Sequence, residues 1–127
     1  GGVNNVVFSP DNQTVVTASS DSTAKLWNLK GGEINTLKHR GGVNDVVFSP
    51  DGQTIATASD DSTAKLWNLK GVEINTLQNQ GGVRNVAFSP NGQTVATASY
   101  DNTAKLWNLK SGEIITLKDQ GLMFKVV

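Results

Sequence analysis

The sequence predicts an all-β protein made of four-stranded antiparallel sheets stacked as blades around an axis, and three observations predict it. Glycine pairs at 1, 41 and 81 and tryptophans at 27, 67 and 107 recur every 40 residues, the mark of a repeat architecture. Turn residues cut each period into four short runs of strand composition. No stretch carries the sustained 3.6-residue periodicity of a helix. Repeats 1 and 2 differ at nine aligned positions (5, 12, 15, 16, 20, 32, 38, 39 and 40 of the unit), which leaves 31 of 40 identical. Residues 1–40, 41–80 and 81–120 are therefore read as three modules of one array, with 121–127 as the opening strand of an incomplete fourth.

Repeat 2 shows the elements in order. Its first run, VNDVVFS, ends in Ser-Pro-Asp-Gly at 49–52, where Pro50 presets φ for a turn and Gly52 supplies the left-handed position of a tight hairpin; repeat 1 has Asn12 there, the next most tolerant residue. The second run, QTIATAS, ends in the Asp-centred turn Ser-Asp-Asp-Ser at 59–62. The third, STAKLWNL, leads into Asn-Leu-Lys-Gly at 68–71, and the fourth is EINTL. The second run carries small residues on both faces, and the first places Val and Phe together in VVF, so both faces of the sheet are expected to be covered. EINTL is more polar, as the outer rim of a disc of stacked sheets should be.

Composition narrows the function. Eleven Lys plus Arg balance eleven Asp plus Glu, which removes the basic excess that draws a chain to nucleic acid or anionic lipid. With no cysteine and a single histidine, neither a thiolate zinc site nor an imidazole cluster can form within one chain. No charged-then-apolar leader opens the sequence, and no apolar run approaches the roughly 18 residues of a membrane span, so a cytoplasmic protein is expected. Its first residue is Gly1 rather than Met, consistent with a processed product, an excised fragment or an engineered sequence.

The unit V-x-x-V-x-F-S-P-[DN]-[GN]-Q-T-[VI]-x-T-A-S-x-D-x-T-A-K-L-W-N resembles the WD40 repeat of β-propellers, especially the highly regular tandem repeats of bacterial multidomain proteins. The resemblance covers residues 1–120 and part of the tail. It implies three complete propeller blades plus one extra inner strand. It also implies a structural role for Asp21, Asp61 and Asp101, each six residues before Trp27, Trp67 or Trp107. In the family this Asp joins a histidine of the loop before the blade, a Ser or Thr of the second strand and the indole N–H in one hydrogen-bonded set. Here the usual Gly-His is missing. His39 alone fits the histidine role, toward Asp61 and Trp67; its equivalents are Asn79, whose amide can still donate, and Asp119, which as an anion can only accept.

Other motifs are weak. Ser-x-x-Lys at 22–25 and 62–65 becomes Asn-x-x-Lys in repeat 3 and has no partner motifs, and the sequon at Asn12 lacks a secretory context. The Gly-Gly pairs have the spacing of neither a phosphate loop nor a dinucleotide fingerprint. No nucleophile, base and oxyanion donor come together, so no catalytic residue and no cofactor or metal site is expected.

Differences between copies fall mostly in turns. One rim holds Asn4, Asn44 and Arg84; Ser20, Asp60 and Tyr100; and His39, Asn79 and Asp119. In the family this is the top face, where protein and peptide partners dock, and Arg84 and Tyr100 are the residue types that anchor interfaces. The opposite rim varies less: Asp11, Asp51 and Asn91, then Gly32, Val72 and Gly112.

Three blades are too few to close around an axis, which takes at least about four. Chains are therefore expected to complete the ring together, two giving six blades or three giving nine. Residues 121–127 are expected either to exchange for residues 3–9 of a neighbouring chain or to be the stump of a truncated blade. The reading is a non-enzymatic protein–protein interaction scaffold that self-assembles into a closed ring, without nucleic-acid or membrane partners. The alternatives are a small-ligand or glycan-binding propeller, a piece of a longer array, and an engineered symmetric scaffold with no natural partner.

Overall fold

The computed structural model describes residues 2–118 and is all-β within them. The strands are β1 Val3–Phe8, β2 Thr14–Ser19, β3 Thr23–Asn28, β4 Glu33–Lys38, β5 Val43–Phe48, β6 Thr54–Ser59, β7 Thr63–Asn68, β8 Glu73–Gln78, β9 Val83–Phe88, β10 Thr94–Ser99, β11 Thr103–Asn108 and β12 Ile114–Lys118. They form three sheets of four strands, in the orders β1-β2-β3-β4, β5-β6-β7-β8 and β9-β10-β11-β12, each an antiparallel meander. None of the described elements is a helix long and apolar enough to cross a membrane.

The turns work by the chemistry their sequences carry. At the first, Gly52 N–H donates to the Ser49 carbonyl at 2.9 Å with φ at +73°, and Asn12 takes the same turn at φ +60°. Asp51 secures it by accepting from Ser49 Oγ at 2.6 Å and from Gln53 N–H at 3.0 Å. The second turn holds a feature the sequence hid, since its left-handed residue is Ser22, Ser62 or Asn102, at φ +78°, +74° and +68°. A side chain at such a φ is costly, and the cost is offset by the Asp before it, which ties the turn to the next strand. Thus Asp61 Oδ1 accepts from Thr63 N–H at 2.9 Å and from Thr63 Oγ1 at 2.5 Å.

The third turn differs between copies. Gly31 and Gly71 hold the left-handed position in the first two sheets, but Ser111 stands there in the third and the role moves one residue on, to Gly112 at φ +80°. The bulge that offsets Trp27 against Glu33 and Trp67 against Glu73 disappears, and Trp107 pairs with Ile114.

The core lies between sheets. Val16, Ala18, Ala24, Leu26 and Leu37 of the first sheet pack against Val43, Val46, Ile55 and Trp67 of the second, with Phe48 and Leu69 closing the edge. Ala56, Ala58, Ala64, Leu66 and Leu77 of the second meet Val83, Val86, Val95 and Trp107 of the third, with Phe88 and Leu109 at the corresponding edge. Full burial of each large aliphatic side chain contributes roughly 1.5–3 kcal/mol. Small Ala and Ser at the later positions of the second strands let neighbouring sheets approach, while Val16, Ile55 and Val95 supply bulk earlier in the same strands.

Candidate interaction surface and its polar clamps

Each tryptophan spends its single donor inside its own sheet. Trp27, Trp67 and Trp107 Nε1–H donate to Thr17, Thr57 and Thr97 Oγ1 at 3.0, 2.9 and 3.0 Å. A lysine ammonium lies over each ring, Lys25, Lys65 and Lys105 at 5.9, 5.8 and 5.8 Å from the centroids. Beyond the threonine the three sheets diverge.

In the second sheet the chain of hydrogen bonds continues. His39, carried in from the loop after β4, has no exposed side-chain surface. Thr57 Oγ1–H donates to His39 Nε2 at 2.6 Å. With Nε2 accepting, the proton sits on Nδ1, which donates to Asp61 Oδ2 at 2.9 Å. The same carboxylate oxygen accepts from Arg40 N–H at 3.1 Å. The imidazole edge also meets the Trp67 ring, centroids 5.9 Å apart and planes at 69°. Burial holds the His39 pKa below its ordinary 6.5 despite the Asp61 carboxylate, so the ring is neutral near neutrality. Burial opposes ionisation of Asp61 too, but hydrogen bonds from Thr63, the Arg40 backbone and His39 outweigh it and bring the pKa down to about 2.

The third sheet lacks this bridge. Asn79, 3% exposed, takes the place of His39, but its amide donates to the Leu77 carbonyl at 3.3 Å and its Oδ1 is buried without a hydrogen-bond partner. Asn79 therefore does not pass a donor to the clamp, although its amide has one to give. Asp101 still accepts from Thr103 N–H and Oγ1, at 2.9 and 2.5 Å, so the turn survives while the link from Asp101 to Thr97 is missing. In the first sheet Asp21 likewise binds Thr23, at 3.0 and 2.6 Å, and is exposed. Asp119 and the tail at 121–127 lie outside the described residues.

On the top rim, positions 4 and 20 of each unit come together. Asn4 Nδ2 donates to Ser20 Oγ at 3.1 Å, Asn44 Nδ2 donates to Asp60 Oδ1 at 2.8 Å, and the Arg84 guanidinium stacks over the Tyr100 ring at 5.0 Å. The pairs share one cause. A bulge in the first strand skips Asn4, Asn44 and Arg84 in the pairing with the second strand, and a bulged residue is re-aimed out of the ladder. From there Asn4 Nδ2 also reaches the Val43 carbonyl at 2.8 Å, and Asn44 Nδ2 the Val83 carbonyl at 3.0 Å. Each is thus a strut from one sheet to the next.

The next position along the same strand forms a second inter-sheet contact that sequence reasoning missed. Asp45, 9% exposed, accepts from Asn5 Nδ2 at 2.6 Å and from Val86 N–H at 3.1 Å, so one carboxylate links all three sheets. The Asn, Asp, Asn series at 5, 45 and 85 was the available signal.

Among the described residues no group of three or more His, Asp or Glu is placed to hold a metal ion. A cleft of about 500 Å³ lies beside the third sheet, between Asp101, Lys105, Thr116 and Lys118, and a smaller one of about 230 Å³ is lined by Leu77, Trp107 and Ile114.

A family model described as "WD domain, G-beta repeat" matches residues 1–28, 31–68 and 71–108. Comparison with the curated proteins gave no match.

Proposed function

Because the chain belongs to the WD40-repeat family, we propose that it is a non-catalytic, cytoplasmic scaffold whose top rim binds a protein or peptide partner. The observation that carries this reading is the rim's variation on a constant frame. The same two bulge-and-turn positions present an amide with a hydroxyl, an amide with a carboxylate, and a guanidinium with a phenol. Tyr100, 58% exposed, offers a large amphipathic face held under a cation, and Tyr and Arg are enriched where binding energy concentrates. His39 is sealed from substrate and serves architecture instead. In the working form the blades belong to a closed ring of six or nine, completed by association of two or three chains.

The test is to select peptides against the chain from a random display library and measure their affinity for Arg84→Ala and Tyr100→Ala. Each substitution is expected to weaken binding about tenfold. Unchanged affinity in both would remove the top rim as the working face. A small-ligand reading has the cleft beside Trp107 in its favour; saturable quenching of tryptophan emission by a sugar panel would support it.

A further inference from the structure

The first and third sheets present opposite halves of the contact found twice inside the chain. Where the second and third sheets bury Val43 and Val46, or Val83 and Val86, at 3% exposure or less, the equivalent Val3 and Val6 of the first are 65% and 57% exposed. Phe8, whose counterparts Phe48 and Phe88 are packed into the two joints, is 63% exposed, and Leu29 is 56% exposed where Leu69 and Leu109 are packed. These side chains are knobs without sockets.

The socket is on the third sheet. A cavity of about 420 Å³ opens there between Ala87, Pro90, Thr94, Ala96 and Leu106. Ala87, Ala96 and Leu106 stand one period after Val47, Ala56 and Leu66, and Val47 and Leu66 belong to the surface against which Phe88 and Leu109 pack.

Glycine supplies an independent sign. A Cβ on Gly42 would lie 3.5 Å from Ser20 Cα, and one on Gly82 would lie 3.4 Å from Asp60 Cα, each in the second turn of the preceding sheet; the tighter approaches, 3.3 Å to Asp60 Oδ2 and 3.0 Å to Tyr100 Cδ2, are to the second turn of their own sheet. This position therefore sits in contact range of the second turn of the preceding sheet. Gly2 keeps the same residue with nothing within 4 Å, so the place that a preceding turn takes beside Gly42 and Gly82 is unfilled beside it.

We propose that this chain binds a second copy of itself head to tail. The second copy's first sheet seats Phe8 and Leu29 in the cavity of the third sheet and slides Gly2 beneath Tyr100. Arg84 stands at the bulge from which Asn4 and Asn44 reach the next sheet's carbonyl, so its acceptor across the new joint is the Val3 carbonyl of the second copy. The partner is specified as this chain because the joint is already written twice inside it, with a Phe and a Leu as the knobs each time. The contact is heterologous, and it ends in a closed ring when the rotation per chain divides a full turn. The inference rests on the closed-ring reading and names the surfaces that close it. It also places Arg84 and Tyr100 beside a joint, so the top-rim site is completed by residues of the second copy.

Sedimentation equilibrium of the full chain, with Phe8→Asp and Gly2→Leu beside it, tests this. The parent is expected at two or three times the 13.5 kDa chain mass. Both variants alter residues outside the described core and are expected to stay folded by circular dichroism while association weakens at least about tenfold. A parent at the mass of one chain that stays at that mass after residues 119–127 are removed overturns ring closure altogether. A parent oligomer that neither folded variant disturbs overturns this joint while leaving the ring reading intact. A monomer that assembles only after residues 119–127 are removed assigns the cavity to the chain's own last segment, and overturns the proposal as well.

Discussion

The two internal joints are built from nearly the same apolar side chains, yet one carries a complete polar clamp and the other a broken one. Between the first and second sheets His39 turns three separate groups, the Trp67 indole, the Thr57 hydroxyl and the Asp61 carboxylate, into one satisfied chain. Between the second and third, Asn79 buries an amide oxygen without a partner. The sheet geometry barely responds, and Trp107 keeps its bond to Thr97 at 3.0 Å. Apolar packing and backbone pairing thus set the blade, while the clamp sets how firmly it is held.

The largest test of that contrast is truncation of each clamp residue. His39→Ala removes a fully buried ring, leaves Thr57 and Asp61 short of partners and opens a cavity; a loss of about 3 kcal/mol is expected. Asn79→Ala deletes one weak hydrogen bond and one unsatisfied oxygen, so its cost should stay below about 1 kcal/mol. Urea unfolding midpoints of the two variants, compared with the parent, measure the difference, and equal losses would break the comparison.

The converse substitution should have the next largest effect. Asn79→His gives the third sheet the imidazole that the second already has, beside Thr97, Asp101 and Trp107. A gain of about 1 kcal/mol is expected, read as a higher thermal midpoint.

Acid should separate the joints more gently. The folded pKa of His39 is depressed by burial below 6.5, so the unfolded chain takes up the proton first, and stability falls as pH drops below 6.5. Asp61, with a folded pKa of about 2 against an ordinary 3.8, contributes stability above pH 3.8 that is lost as pH falls toward 2. The two contributions have the same sign. His39→Gln should flatten the stability profile just below pH 6.5, whereas Asn79→Gln should leave its slope unchanged.

Much of the frame could be read from the chain because its causes are local. Pro50, Gly52 and the Asp-centred turns fix where strands reverse, and small residues on both faces of the second strand foretold a sheet covered on both sides. The resemblance placed His39 beside Asp61. What escaped were effects that act across a joint. The bulge that re-aims Asn4, Asn44 and Arg84 leaves no mark in an alternating pattern. The contact of Gly42 and Gly82 with Ser20 and Asp60 involves a turn belonging to the previous repeat. Asp45 read as one more polar residue because its partners, Asn5 and Val86, lie a full period away on either side. Even the shift from Gly71 to Gly112 follows from a single Ser111, whose effect on pairing shows only when the strands are laid together.

The placement of His39 has a consequence for how such a chain grows. By sequence it closes the first 40-residue unit, but its hydrogen bonds are spent in the second, just as Asn4 and Asn44 brace sheets that follow their own. The 40-residue period is therefore out of phase with the set of polar groups that satisfy one another. Every added unit brings half a joint at its front and half at its back, and the apolar part of each half repeats from joint to joint. A tandem array of this kind can lengthen by whole units without inventing an apolar contact, because each unit carries one half of the packing its neighbour needs.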